Sequence, residues 1–315
     1  MAEPEIAVVI ATKTRLAESI WRFELIPDGL QALAPFTAGA HITVRTPNGS
    51  VRSYSLTDPP GRDDRYAISV NRDTTGRRAS VDLIDQTKQG DRLVISPPRN
   101  TFQLVPSPTY LFIAGGIGIT AIRSMALEVV KTAGTWGRFI YLTKTRANSA
   151  YRDDVLQLPP RLESLVHHSD TDGRFDLWPY LAEPKDTHVY CCGPTALMDD
   201  VRALTMHWRP SRVHFENFQG VNSLGMSSSP FSVAWQPTNQ TIDVASTQTL
   251  LDALRLAGLP VKSSCESGTC GTCKLRLVSG QVDHRDVYLE EAERDSYLMP
   301  CVSRATSEAL VVGPP

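Results

Sequence analysis

Residues 265–273 read CESGTCGTC, and one more cysteine follows at Cys301. This spacing constrains the C-terminal part of the chain more than any other feature. Disulfide scaffolds belong to small exported domains. This chain has 315 residues and opens on MAEPEIAVVIATK, with two acids ahead of its apolar run and no basic segment or cleavage-like end, so no export by that route is expected. Structural zinc sites present C-x2-C pairs on two knuckles. Here the first gap is four residues and Cys301 stands alone. C-x4-C-x2-C with a distant fourth cysteine is instead the spacing of a [2Fe–2S] centre. A tight loop has to wrap three thiolates around such a cluster without side chains blocking the inorganic sulfides. Gly268 and Gly271 supply the backbone freedom, and exposed loop N–H groups can bond sulfur. The candidate ligands are Cys265, Cys270, Cys273 and Cys301.

The flanks suit this reading. FSVAWQ and TIDVA read as two short strands. TLLDALRLAGL places Leu250, Leu251, Leu254 and Ala257 on one helical stripe ended by Gly258, and CKLRLVSG and QVDH read as further strands. From about Pro230 to Pro315 the pattern resembles the β-grasp fold of plant-type ferredoxins. The uncharged stretch QGVNSLGMSSSP just before it reads as a flexible connector, residues 219–229.

Upstream, residues 1–104 are mostly β in pattern: IAVVIATKTR, IWRFELI, HITVRT, VRSYSLT and YAISVNRD, with one helical stretch beginning at Ser80. An antiparallel β-barrel is expected. Residues 105–218 alternate strand and helix, as a parallel α/β sheet does. The expected architecture is therefore multi-domain α+β: barrel, α/β domain and β-grasp domain. A formal net charge of −2 leaves no bulk electrostatic case for nucleic acid. The longest apolar stretch, LFIAGGIGITAI, is too short and glycine-rich to span a bilayer.

Arg52-Ser53-Tyr54-Ser55 sits on a strand, with Arg52 and Tyr54 on one face and Ser53 and Ser55 on the other. By itself such a tetrapeptide is ordinary half-buried strand. Followed by an α/β domain with a glycine-rich turn, it resembles the ferredoxin–NADP reductase superfamily. The order barrel, α/β domain, ferredoxin domain resembles more specifically the phthalate dioxygenase reductase family, with RSYSL, AGGIGIT, VYCCGPTALMD and SSCESGTCGTCK spread over all three domains. The resemblance implies FMN bound at Arg52, Ser53, Tyr54 and Ser55, with Ser55 near the reactive nitrogen and Val70, Gly76, Arg77 and Ser80 completing the site. The family typically has G-R-G-G-S where this chain reads Gly76-Arg77-Arg78-Ala79-Ser80. Arg77 and Arg78 add charge, and Ser80 can be both N-cap and ligand, while losing two glycines restricts backbone approach to a phosphate.

LFIAGGIGIT runs an apolar strand into Gly115, Gly116 and Gly118 and then a helix, formally a dinucleotide fingerprint. That fingerprint expects an acid after the second strand, where this chain has Lys144, Thr145 and Arg146. An ordinary Rossmann site is thus not expected, and the turn fits the reductase superfamily's G-G-x-G-x-T. The resemblance puts Thr120 near the flavin and Cys192, Gly193 and Pro194 beside the nicotinamide. There Cys192 packs and positions, and Cys191 reads as core. Phe218 either covers the flavin or is an ordinary core aromatic. Lys144 and Arg146 would suit a 2′-phosphate or a solvated loop; the resemblance favours NADH.

His167 and His168 are adjacent, cannot share one face of an element, and read as surface residues. From Ser229 onward seven Lys and Arg face ten Asp and Glu, a mild acidity that would steer towards a basic partner. The expected function is an NADH-dependent oxidoreductase passing electrons through FMN and a [2Fe–2S] cluster to a terminal Rieske-type oxygenase. Ser55 and Cys192 are its candidate catalytic residues. The chain is expected to be monomeric and cytoplasmic, bound to neither nucleic acid nor membrane. The alternatives are a reductase for a cytochrome-type monooxygenase, and a non-catalytic redox-sensing protein with a degenerate flavin site.

Overall fold

Strict alternation of apolar residues forces the first strands to bury one face. Val8 and Ile10 on β1 (Ile6–Arg15) and Phe23 and Leu25 on β2 (Ile20–Pro27) are fully buried. The computed structural model describes residues 5–74, 78–218, 229–236, 238–263, 268, 271–286 and 288–315. The chain divides into two compact units, Met1–Phe218 and Gln219–Pro315.

In the first unit, β1 and β2 join β3 (His41–Arg45), β4 (Val51–Ser55), β5 (Tyr66–Asn71) and β6 (Arg92–Ile95) in an antiparallel sheet of order β4-β3-β6-β1-β2-β5. Just past β4, Leu56 bridges Ile68 on β5, so the two edge strands meet. Leu83 and Ile84 of the short helix α1 (Ala79–Asp85) pack into the core of this sheet.

The parallel sheet of the same unit holds β7 (Thr109–Gly115), β8 (Trp136–Thr143), β9 (Leu162–His168), β10 (His188–Cys192) and β11 (Val213–Glu216), in the order β11-β10-β7-β8-β9. Its helices are α2 (Ile119–Val129), α3 (Arg152–Leu156), α4 (Ser169–Asp172), α5 (Trp178–Leu181) and α6 (Thr195–Leu204). The strands are apolar on both faces, as a covered parallel sheet requires. Phe112 and Ala114 enter one core with α2, and Leu111 and Ile113 enter the other with Met198 and Val201 of α6. Ile20, Ala38 and Phe102 from the β-rich part join the α2-side core.

In the second unit, β12 (Phe231–Trp235), β13 (Gln240–Val244), α7 (Leu250–Leu256), β14 (Leu275–Ser279), β15 (Val282–Asp283), β16 (Tyr297–Leu298), β17 (Arg304–Ala305) and β18 (Ala309–Gly313) follow. The main sheet has the order β13-β12-β18-β14-β16, with first and last strands parallel at its centre. That is the β-grasp pattern. Thr249 caps α7 by accepting from the Asp252 amide, and Leu250, Leu251, Ala253 and Leu254 are buried. Ala253 joins the buried stripe, while Ala257, the half-buried C-cap, lies just past the end of the helix at Leu256. Among the described residues, no helix is long and apolar enough to cross a membrane.

Candidate functional site

In the parallel sheet, the order in which strands are laid down reverses between β7 and β10. Strands following β7 add on one side and the strand following β10 adds on the other. A crevice opens at such a switch point, beyond the carboxyl ends of the strands. The two sequence motifs end up there together. Gly115 closes β7, and a Cβ on it would lie 2.7 Å from Pro194 Cδ and 3.2 Å from Gly193 Cα. A Cβ on Gly193 would lie 2.9 Å from Gly115 Cα. Gly118 is pressed against the Cys192 carbonyl. Gly115 and Gly118 therefore serve the packing of one motif on the other. Gly116 differs: its φ is +52°, a conformation that favours glycine, and no heavy atom stands within 4 Å of where its Cβ would be. Thr120, buried in the first turn of α2, donates to the Ile117 carbonyl at 2.9 Å.

Cys191 and Cys192 are both fully buried, on opposite faces of β10. Burial pushes the Cys191 thiol up to about 12. It pushes Cys192 well above the ordinary thiol range, with Glu216 adding to the shift. Neither is a thiolate at neutral pH, which suits a packing role and not a nucleophilic one. Glu216 pairs with Cys192 across β10 and β11. Burial raises its carboxyl to about 8, and its Oε2 has no hydrogen-bond partner among the described residues. Sequence reasoning passed over Glu216; the available signal was an acid closing an apolar strand of a parallel sheet, at the carboxyl end where ligands bind.

The Arg52–Ser55 tetrapeptide lies on β4 as its alternation requires. Ser53 Oγ and Ser55 Oγ are both buried and have no hydrogen-bond partner among the described residues. Two orphaned hydroxyls on one strand face fit a polar ligand that completes their bonding. Tyr54 packs on the sheet core; its phenol is pushed up to about 12 by burial, against the opposing charge of Arg52. Val70 is buried in that same core. Phe218, the last residue of the unit, is 37% exposed.

Gly76 and Arg77 lie outside the described residues. Arg78 is the N-cap of α1, with φ 60° and ψ 0°. It takes the left-handed conformation at one of the positions where G-R-G-G-S has glycine. Ser80 is not the N-cap, a correction to the sequence reading: the helix begins at Ala79 with Arg78 as N-cap, and the Ser80 hydroxyl accepts from the Asp73 amide at 3.1 Å instead. The histidines are also less exposed than expected. His168 Nδ1 lies 2.9 Å from Thr143 Oγ1, and His167 Nε2 lies 2.8 Å from the Gly173 carbonyl. They point to opposite sides of β9, so they do not chelate.

In the second unit, Cys273 and Cys301 are buried in one core cluster; Cys265 and Cys270 lie outside the described residues. Gly268 and Gly271 have φ of +75° and +74°. A Cβ on Gly268 would stand 2.7 Å from Val302 Cγ2, and one on Gly271 would meet the Tyr288 ring, 2.6 Å from Cε2. Two glycine positions with no room for a side chain, beside two buried thiols, fit a thiolate-held cluster.

Comparison with known proteins agrees with this geometry. The family of 2Fe-2S iron-sulfur cluster binding domains matches residues 233–306. The chain is 42% identical over 307 residues to a phthalate dioxygenase reductase from Burkholderia cepacia, covering 96% of this chain and 95% of that one. A solved phthalate dioxygenase reductase, described as a modular structure for electron transfer from pyridine nucleotides to [2Fe–2S], superposes with a TM-score of 0.84 at 40% identity, covering 98% of both chains. An intact type IV self-sufficient cytochrome P450 monooxygenase superposes with a TM-score of 0.76 at 31% identity, covering 98% of this chain and 41% of that one. With motifs, fold and near full-length similarity in agreement, this chain belongs to the phthalate dioxygenase reductase family of flavin- and iron–sulfur-dependent oxidoreductases.

Proposed function

We propose that this chain is the reductase component of a Rieske-type oxygenase system, carrying electrons from NADH to the oxygenase. The observation that carries the reading is the interlock of Gly115 and Gly118 with Cys192–Pro194 at the switch-point crevice, in the same compact unit as the orphaned hydroxyls of Ser53 and Ser55. When bound, FMN accepts the hydride of NADH as an electron pair, and the [2Fe–2S] cluster passes electrons on singly. The division 1–104, 105–218, 219–229 and 230–315 assigns FMN, NADH, connector and cluster in that order.

Arg52, Ser53, Tyr54 and Ser55 hold the flavin, with Gly76, Arg77 and Ser80 assigned to its phosphate and Val70 behind it. Gly116 offers open backbone to the dinucleotide. Cys192, Gly193, Pro194 and Thr120 wall the nicotinamide pocket, and Phe218 closes the flavin side. The thiol of Cys192 and the raised carboxyl of Glu216 keep that wall neutral at pH 7. No general acid or base is assigned, since alignment of donor and acceptor is the protein's contribution. Cys265, Cys270, Cys273 and Cys301 hold the cluster. We take the chain to be cytoplasmic, where structural disulfides are rare. We read it as a monomer that binds neither nucleic acid nor membrane.

An absorption spectrum before and after anaerobic NADH tests the core of this reading: flavin and iron–sulfur bands are expected to bleach together. Unchanged bands, or flavin that runs as FAD after acid release, would overturn it. Comparing kcat/KM for NADH and NADPH tests the donor, with NADH expected to win despite Lys144 and Arg146. The second reading, a cytochrome-type monooxygenase as acceptor, is favoured by the likeness to a self-sufficient P450. Stopped-flow oxidation by purified oxygenase components decides between the acceptors.

A further inference from the structure

The β-rich and α/β parts of the first unit meet along a polar seam that begins just beyond the flavin tetrapeptide. Asp58, three residues after Ser55, accepts a two-pronged contact from Arg22 of β2, at 3.0 and 2.8 Å. It also accepts from Arg123 of α2 at 3.1 Å. Arg123 donates to the Thr57 carbonyl at 2.8 Å, grips Asp154 at 2.6 Å, and stacks over the Tyr151 ring at 4.5 Å. Ser124, next on α2, donates to the Asp58 carbonyl at 3.0 Å. From the α/β side the Tyr151 hydroxyl enters the β-rich part, 2.6 Å from Ser69 Oγ on β5 and 3.2 Å from Arg22 Nη1.

Two features go beyond ordinary packing. Tyr151 holds φ at 58°, a left-handed conformation that is strained for a non-glycine residue and persists only where surroundings over-determine it. Burial alone would push the Asp58 carboxyl up, yet the bonds and charges of Arg22 and Arg123 hold it below the usual carboxylate range. Desolvating such charges offsets much of their attraction, so stability is a poor reason to keep them. What forked guanidinium–carboxylate contacts supply is fixed geometry.

The seam joins two short paths. Arg123 is one helical turn beyond Thr120, so it holds the start of α2, which opens at Gly116–Gly118. Asp58 is the exit of the strand that carries Ser53 and Ser55. We propose that Asp58, Arg123 and Tyr151 are positioning residues for hydride transfer, clamping the nicotinamide-side helix onto the flavin strand, an inference that rests on the reductase reading above.

Anaerobic stopped-flow reduction of the full-length, flavin-loaded protein by NADH separates the dissociation constant from the limiting rate. Tyr151→Phe removes one hydroxyl and keeps the ring under Arg123. It is expected to leave bound FMN and the NADH dissociation constant within about twofold, and to lower the limiting rate roughly tenfold or more, since an ångström of misplacement costs on the order of a hundredfold. Arg123→Lys keeps the charge, loses the fork and is expected to act in the same direction. A wild-type limiting rate in Tyr151→Phe overturns the positioning role. So does a loss wholly accounted for by missing FMN or weaker NADH binding. Should Tyr151→Phe fail to fold, Ser69→Ala removes the same bond from the other side and is judged by the same two outcomes. Wild-type protein that NADH does not reduce would overturn the reductase reading instead, which keeps the two failures distinct.

Discussion

Gly118 lies so close to Cys192 that a methyl group on its Cα would overlap the Cys192 carbonyl and stand 2.8 Å from the Gly193 amide nitrogen. The Gly115–Gly118 and Cys192–Pro194 motifs are thus one packed object. Neither can shift without the other, because the neighbour of Gly118 is backbone and not a flexible side chain. Gly118→Ala should therefore destabilise the protein by about 1–3 kcal/mol through overpacking and weaken NADH binding. Gly116→Ala meets no neighbour and pays only for its positive φ, about 1–2 kcal/mol. Denaturant melts with NADH titrations of both variants check this; equal NADH affinities for Gly118→Ala and wild type would count against the interlock.

Glu216 gives a pH-dependent prediction with a definite sign. Its folded carboxyl is raised to about 8 from an ordinary 4.5. Between those values the folded state holds a proton that the unfolded state has released, so this residue makes stability fall as pH rises. Glu216→Gln removes the effect. The stability of Glu216→Gln relative to wild type should improve steadily from pH 5 to pH 8, by up to about 1.4 kcal/mol per pH unit. Paired thermal melts across that range measure it, and a difference that does not change with pH would refute the assignment.

Arg78 sits at φ 60° where the related G-R-G-G-S pattern has glycine. Arg78→Gly should raise the stability of the flavin-free protein by about 1 kcal/mol by releasing backbone strain, while Arg78→Ala should not. The charge is expected to matter for flavin: both variants should bind FMN more weakly than a strain argument alone would give. Thermal shift of the flavin-free protein, with FMN titration by fluorescence quenching, separates strain from charge.

Gly271 faces the Tyr288 ring with φ +74°. Gly271→Ala should lower iron and sulfide content per chain well below that of wild type, because the loop can then neither keep its conformation nor clear the ring. Gly280→Ala, also at positive φ but outside the cysteine motif, should lower stability and spare the cluster. Iron analysis and the visible spectrum of both proteins decide the matter; full iron content in Gly271→Ala would contradict it.

Local patterns made much of this protein legible. Period-two alternation marked the strands from Ile6 to Asn71, and the apolar run ending in Gly115 marked the first parallel strand. Cysteine spacing marked the cluster domain, because chelation imposes distances on a loop that a sequence records directly. Short strands were not legible: Arg92–Ile95, Tyr297–Leu298 and Arg304–Ala305 are four residues or fewer and owe their structure to the partners they meet.

The sequence by itself determined the cysteine spacing and the glycine-bearing motifs that point to the chemistry, and the order in which the sheets come. Tertiary structure alone decided who stands beside whom. The switch in strand order brings Gly118 against Cys192, 74 positions apart in the chain. The sheet register sets Glu216 beside Cys192, and desolvation there turns an ordinary acid into a neutral one. Tyr151, with its left-handed backbone, reaches Ser69 on the other half of the unit. None of these relations has a periodicity or a motif, since each depends on burial and on backbone approach between segments far apart in the chain, and those exist only once the chain has folded.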